Sequence, residues 1–116
     1  MEEKIMNWYE AKAKIKDNIK VGTDFNTTNS HYRFVKAIEE NKFIIPIGKS
    51  SNISISWEMI EKCFQALNGN GYNGKYFRKL YPAKAANHPC HVHVIGQIFV
   101  AANIAFIDKS KYVKKK

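Results

Sequence analysis

The sequence predicts a small single domain of the α+β class, in which an N-terminal helix and a β-hairpin pack on a unit of three further helices. The length of 116 residues suits one hydrophobic core, and 45% hydrophobic with 25% charged residues is typical of a globular protein. Apolar residues recur with a helical period in segments 1–20, 57–67 and 89–102, and with the period of a strand between 31 and 56. Glycine, asparagine and proline separate these segments, as expected where elements end.

The first predicted element is an amphipathic helix over residues 1–20. Its apolar side is expected to consist of Ile5, Trp8, Tyr9, Ile15 and Ile19. Gly22 follows as the predicted stop. The helix either packs on the core or acts as a dimerisation arm, and the second option would make the protein a homodimer.

Residues 31–56 are predicted to form the β-hairpin region. Apolar and polar residues alternate up to a turn at 39–42, and residues 43–47 supply the second strand. Pro46 has no backbone N–H to donate, which indicates an exposed edge at that point. A helix over residues 31–40 is the alternative for the first half of this region.

A second helix is predicted over residues 57–67, with Ser56 as its N-cap. The glycine-rich turn that follows permits a sharp change of direction. Next comes a short basic helix over residues 74–81, which Asn73 is expected to cap and Pro82 to end. The following PAKAAN segment is predicted to be a loop.

The longest apolar helix is predicted over residues 89–102, with a proline in its first turn. Gly96 would let a neighbouring element approach this helix closely. The alternating HVHV segment also permits a strand in its first half, and that alternative stays open. Residues 104–107 are predicted to form a strand, and residues 108–116 a polar basic tail.

The order of elements over residues 57–107 resembles the winged-helix family of helix-turn-helix DNA-binding proteins. The resemblance implies a short β segment at 71–73, a third helix that approaches a groove of DNA through its N-terminal residues, and a two-stranded wing. Only nine residues follow Ile107. The wing is therefore expected to be truncated, to be supplied by the tail at 111–116, or to be absent.

The net charge of +9 is concentrated in the second half of the chain. Residues 68–116 contain nine lysines and arginines against one acid, Asp108, whereas residues 1–67 are nearly neutral. This asymmetry favours a polyanionic partner. The alternative is a lysine-rich surface that serves only solubility.

We expect the contacts with nucleic acid to come from the second and third helices of the winged-helix-like unit and from the tail. Cations would hold phosphates, and the start of the third helix would reach base edges. The candidate residues are Lys75, Arg78, Lys79, Lys84, Asn87, His88, His91, Gln97, Lys109 and Lys111. His91 and Gln97 could instead be exposed polar residues on a core helix. Tyrosines among these cations would also suit stacking on single-stranded bases, so duplex and single strand both remain open.

A run of histidines and a cysteine at residues 88–93, with Cys63 upstream, raises the question of a metal or thiol site. The double pair of ligands usual for zinc is missing, and the C-terminal half lacks the paired carboxylates that metal-dependent nucleases use. We therefore predict no catalytic residue, no metal and no cofactor. Two unpaired cysteines, no signal peptide and no apolar run of membrane-spanning length predict a cytoplasmic protein without a membrane partner.

Taken together, these features predict a non-enzymatic nucleic-acid-binding protein, with duplex DNA favoured over RNA. The alternative is a small inhibitor of the kind encoded by phages or mobile elements. Such a protein would present its basic face to an acidic protein surface or to a nucleoprotein complex.

Overall fold

The computed structural model describes residues 7–25, 33–47, 51–88, 90–109 and 111–115. Within them the chain forms a small α+β domain of helices and antiparallel strands.

Helix α1, Trp8–Asn18, confirms the predicted N-terminal helix in its described part. The side chain of Asn7 caps it by accepting a hydrogen bond from the backbone N–H of Glu10 at 2.9 Å. Ala11 and Ile15 form the buried face. Tyr9 is 83% exposed, so its predicted place on the apolar side is wrong. It lies two residues from Ala11, which is about 200° around the helix. Ile5 falls outside the described residues.

The predicted hairpin is present, but its first strand is divided. Strand β1, Asp24–Phe25, pairs with β2, Arg33–Phe34, whereas β3, Ala37–Ile38, pairs with β4, Lys42–Ile47. This division excludes the helical alternative for residues 31–40 over the part that the structure describes.

A three-stranded sheet is completed by β5, Ser51–Ser56, on the other side of β4. Phe43 lies opposite Ile55, and Ile45 opposite Ile53, and all four side chains are buried on one face. Pro46 lies beyond the register of β3 and opposite Asn52 of β5. Because β4 is the middle strand of this sheet and also contacts β2, the exposed edge expected at Pro46 is not confirmed.

Helix α2, Trp57–Leu67, has the predicted bounds, and the Ser56 hydroxyl caps it by accepting from the N–H of Met59 at 3.1 Å. Helix α3, Gly74–Leu80, likewise begins after its predicted cap, because Asn73 Oδ1 accepts from the N–H of Tyr76 at 3.0 Å.

The segment predicted as a loop is helix α4, Pro82–Asn87. Pro82 begins this helix as well as following α3, since the first turn of a helix does not need the N–H that proline lacks. Helix α5, Cys90–Ala101, comes next and excludes a strand at HVHV.

A C-terminal hairpin is formed by β6, Ala105–Asp108, and β7, Lys111–Lys114. Residues 111–114, which were predicted to belong to a polar tail, are therefore a strand. On the far side of β7, Tyr72 and Tyr112 exchange backbone hydrogen bonds of 2.8 Å in an isolated bridge, at the place where the short β segment was expected. Gly71 has φ +104°, which favours glycine and brings the chain to this bridge.

Helix α5 is the centre of the core. It contacts α1, α3, α4, β1, β5 and β6, and most of its side chains are buried. Gly96 lies directly under the ring of Tyr112, so the predicted close approach at this glycine is confirmed. The C-terminal hairpin is thus packed against α5, the helix that the winged-helix resemblance implies would approach a nucleic acid.

Candidate nucleic-acid interface

Helix α3 presents the densest group of cations. Phe77 is fully buried and fixes the rotation of this short helix. Lys75 and Lys79 lie about 200° from Phe77 on either side of it, and Arg78 lies 100° away, so all three are exposed as predicted. We call these three cations, together with exposed Lys84 on the adjoining helix α4, the basic face.

A cleft of about 400 Å³ opens beside the basic face, between α3, α4, α5 and β7. Its lining residues are Asn73, Gly74, Lys75, Arg78, Ala85, Val92, His93 and Tyr112. Ala85, Val92 and Tyr112 are buried and make an apolar floor, whereas the two cations are exposed at the rim. The lining contains no carboxylate, so this concave surface is cationic above and apolar below.

Gly74 gives the Arg78 side chain its room. A Cβ at this glycine would lie 2.9 Å from Nη1 of Arg78 and 3.6 Å from Cγ1 of Val92. The guanidinium therefore folds back along α3 towards α5. Glycine at the first position of α3 thus leaves space for this positive charge at the cleft.

The start of α5 is only partly accessible. Asn87 and His88 are exposed, as predicted. His91 is 4% exposed and Gln97 is 5% exposed. The structure therefore corrects the expectation that these two side chains face outward, either as base contacts or as plain exposed polar groups.

His91 is held inside by packing and by a backbone acceptor. Its ring stacks on Phe77 at a centroid distance of 5.8 Å, and its Nδ1 lies 2.8 Å from the carbonyl oxygen of His88. Burial lowers the pKa of His91, and the positive charge of nearby Lys84 acts in the same direction. Burial raises the pKa of Tyr112, and the nearby side chain of Gln97 acts in the opposite direction.

His93 was not among the predicted contacts, yet it is exposed and lines the cleft. A helical wheel identifies it only once the buried residues of α5 are known. The buried residues of α5 leave only a narrow outward sector, and His93 lies in its middle.

The cations of the C-terminal hairpin are spread along it. Lys111 donates from Nζ to the carbonyl oxygen of Asn70 at 3.0 Å, and its stem packs on Gly71. Lys109 is exposed at the hairpin turn, where its φ is +60°. The structure thus brings Lys75 and Arg78 together with His93 at the cleft. Lys79, Lys84, Lys109 and Lys111 lie outside its lining.

Acids that could neutralise the basic face are distant in sequence. The two salt bridges among the described residues, Lys42–Glu39 and Lys62–Glu58, both lie upstream of α3. Asp108 on β6 is the single acid after residue 67. The α3 cations therefore have no carboxylate partner from the described part of this half of the chain, and they are available to a phosphate.

The cysteines are free thiols, as predicted. Burial raises the pKa of Cys63 to about 12, so its thiol stays protonated at neutral pH, and it contacts the buried Tyr72 hydroxyl. Within the described ranges, no group of three or more His, Cys, Asp or Glu side chains is placed to hold a metal ion.

No helix in the described part of the chain is both long enough and apolar enough to cross a bilayer. Comparison with models of known protein families, with curated proteins and with solved structures finds no significant match to this chain.

Proposed function

We propose that this chain is a non-enzymatic nucleic-acid-binding protein that contacts its ligand, with duplex DNA favoured, through the basic face of α3 and α4. One observation carries the proposal. Exposed cations flank a concave cleft with no carboxylate in its lining, in a half of the chain that has a single acid. Unpaired lysine and arginine side chains of this kind bind phosphates by releasing counterions.

The order of elements supports a winged-helix arrangement as part of this proposal. Helix α2, the bridge at Tyr72, helix α3, helix α5 and the C-terminal hairpin follow one another in the order that the family resemblance implies. Two features depart from that pattern: α4 is inserted, and α5 is largely buried.

Burial of α5 changes the kind of contact that we expect. With His91 and Gln97 inside the core, base edges would be within reach only of groups near the helix start, namely Asn87, His88 and His93. Phosphate contacts would then dominate binding, and phosphate contacts position a protein without specifying sequence. The proposed protein therefore binds nucleic acid with modest sequence preference.

The salt dependence of binding follows from the number of cations in the basic face. Four phosphate contacts give a slope of log K against log salt of about −3.6. The affinity would then fall about 150-fold between 50 and 200 mM salt. Binding to a protein through one or two surface ion pairs would give a shallower slope.

Fluorescence titration of labelled duplex DNA, single-stranded DNA and RNA at two salt concentrations tests the proposal. Replacing Lys75, Arg78 and Lys79 by alanine should reduce the magnitude of the slope by about 2.7 and weaken binding at low salt. The matched control removes the same charge from the neutral half, by replacing Lys16, Lys20 and Lys36, and should leave the slope unchanged. Equal effects from the two triple variants would show that net charge alone matters, and would refute the assigned face.

A protein partner is the second candidate function, and one observation favours it. Phe106 and Ile107 on the C-terminal hairpin are 44% and 43% exposed, close to Lys109. Exposed apolar side chains that are rimmed by polar residues are typical of protein interaction sites. Binding to a protein with no affinity for any bare nucleic acid in the same titration would select this function.

A further inference from the structure

We propose that the cleft between α3, α4, α5 and β7 binds a single nucleotide unit, with its phosphate at Lys75 and Arg78 and its base against the apolar floor. This inference rests on the proposed function, because it assigns a ligand class to the same face. It adds a pocket that recognises an unstacked nucleotide, which a flat phosphate-binding surface does not do.

The rim supplies the anion-binding half of the site. Arg78 presents a planar guanidinium, which binds phosphate oxygens through two parallel hydrogen bonds, and Lys75 adds a second positive charge. Both side chains are exposed and line the cleft. A Cβ at Gly74 would lie within 4 Å of both the Arg78 guanidinium and Val92, and all three residues line the cleft. A ligand that joins a phosphate to an apolar plate would contact both.

The floor supplies the second half. Ala85, Val92 and Tyr112 are 7%, 7% and 6% exposed, so they offer a firm apolar surface with little freedom to move. Tyr112 packs on Gly96 and lines the cleft, so it contributes an aromatic side chain to the floor. At the side of the cleft, exposed His93 offers an imidazole that can hydrogen-bond a base edge or stack on it.

Size and shape select the state of the nucleotide. The cleft volume of about 400 Å³ lies within the range of roughly 300–1,000 Å³ that is usual for small-molecule sites. A base that is stacked and paired inside a duplex cannot enter such a pocket without leaving the helix. The ligand is therefore a free mononucleotide or the phosphorylated end of a single strand, which share the same chemistry.

Calorimetric titration of the full chain tests the inference. The probes are AMP, CMP, inorganic phosphate, and a short single-stranded DNA with or without a 5′-phosphate. Mononucleotides should bind at least tenfold more tightly than inorganic phosphate, because only they reach the floor. A phosphorylated strand that binds more tightly than both the mononucleotides and the same strand without phosphate identifies the strand end as the source. Equal affinity of the phosphorylated strand and the mononucleotide identifies a free nucleotide.

Two variants separate this site from the wider basic face. Gly74→Ala removes no charge, but its Cβ would displace the Arg78 guanidinium and narrow the cleft, so mononucleotide affinity should fall about fivefold or more. Because no cation is removed, the salt slope for duplex should be unchanged, and any loss of duplex affinity should be smaller than the loss of mononucleotide affinity. Lys79 lies outside the cleft lining. Lys79→Ala should therefore reduce the magnitude of the salt slope for duplex by about 0.9 and leave mononucleotide affinity unchanged. His93→Ala should weaken mononucleotide binding, because it removes the imidazole at the side of the cleft.

Failure of this inference can be told from failure of the proposed function. Absence of mononucleotide binding at millimolar concentration, or binding that neither Gly74→Ala nor His93→Ala weakens, overturns the cleft assignment even if duplex binding is strong. Inorganic phosphate binding as tightly as AMP also overturns it, because the floor would then contribute nothing. Mononucleotide binding with no affinity for duplex would support the cleft and refute the proposed duplex ligand.

Discussion

Replacing Gly96 by alanine should destabilise the fold, although alanine is the better helix former. A Cβ at Gly96 would lie 2.2 Å from Cε2 and Cζ of Tyr112 and 2.6 Å from Cε1. The ring cannot simply swing away, because Tyr112 is 6% exposed and its backbone is paired with Tyr72. The hairpin or the helix must therefore shift.

The magnitude follows from two opposing effects. Overpacking a filled core costs about 1–3 kcal/mol, and a displacement of more than ~1 Å places this site at the upper end of that range. The higher helix propensity of alanine offsets this cost by about 1 kcal/mol when it replaces glycine inside a helix. The net loss in the free energy of unfolding is about 2 kcal/mol, which lowers Tm by about 8 °C.

Urea unfolding followed by tryptophan fluorescence measures this change. Gly69→Ala is the matched control, since its Cβ would meet nothing closer than 3.7 Å and its stability should change by less than about 0.5 kcal/mol. In a Tyr112→Val background the clash is gone, so Gly96→Ala should become stabilising by about 1 kcal/mol. A Gly96→Ala protein that is as stable as wild type, or more so, would refute the packing of Tyr112 on α5.

Three further changes have predictable outcomes. Asn73→Ala removes the cap of α3 and should cost about 1 kcal/mol in urea unfolding, whereas Asn73→Asp should retain most of it. Burial lowers the pKa of His91 below its ordinary value of 6.5, so the unfolded chain binds that proton more readily, and stability should fall as pH drops from 6.5 towards the lowered pKa. His91→Phe should flatten this loss between about pH 7.5 and 5, and an unchanged pH profile would contradict it. Iodoacetamide should alkylate half-buried Cys90 in the folded protein and spare Cys63 until denaturant is added. The reason is that burial raises the pKa of Cys63 to about 12. Mass spectrometry of the peptides shows which thiol reacted.

Local signals in the sequence were enough for α2 and for the start of α3. A Ser or Asn N-cap, an apolar stripe and a terminating glycine or proline act within a few residues, and the structure has these elements nearly at their predicted bounds. The same local logic failed for α4. Pro82 was interpreted only as the end of one helix, although proline is equally favourable in the first turn of the next.

The candidate site was only partly predictable for a different reason. Exposure of the α3 cations follows from the position of Phe77 alone, because one buried residue fixes the orientation of a short helix. Burial of His91 and Gln97 depends on α3 and the C-terminal hairpin packing against α5, which no short-range pattern encodes. His93 emerges as the outward residue only when both coverings are in place.

The bridge between Tyr72 and Tyr112 has a consequence for the order in which the molecule can be completed. During synthesis, all three helices between these tyrosines leave the ribosome before the strand that covers them. Until β7 has been synthesised, Gly96 and the side of Tyr72 that faces Tyr112 are exposed to water. The nascent chain therefore exposes an apolar groove along α5. Deleting the lysine-rich end would thus remove the strand that covers α5 as well as positive charge. Point substitutions of the lysines therefore distinguish the effect of charge from the effect of packing better than deletions do.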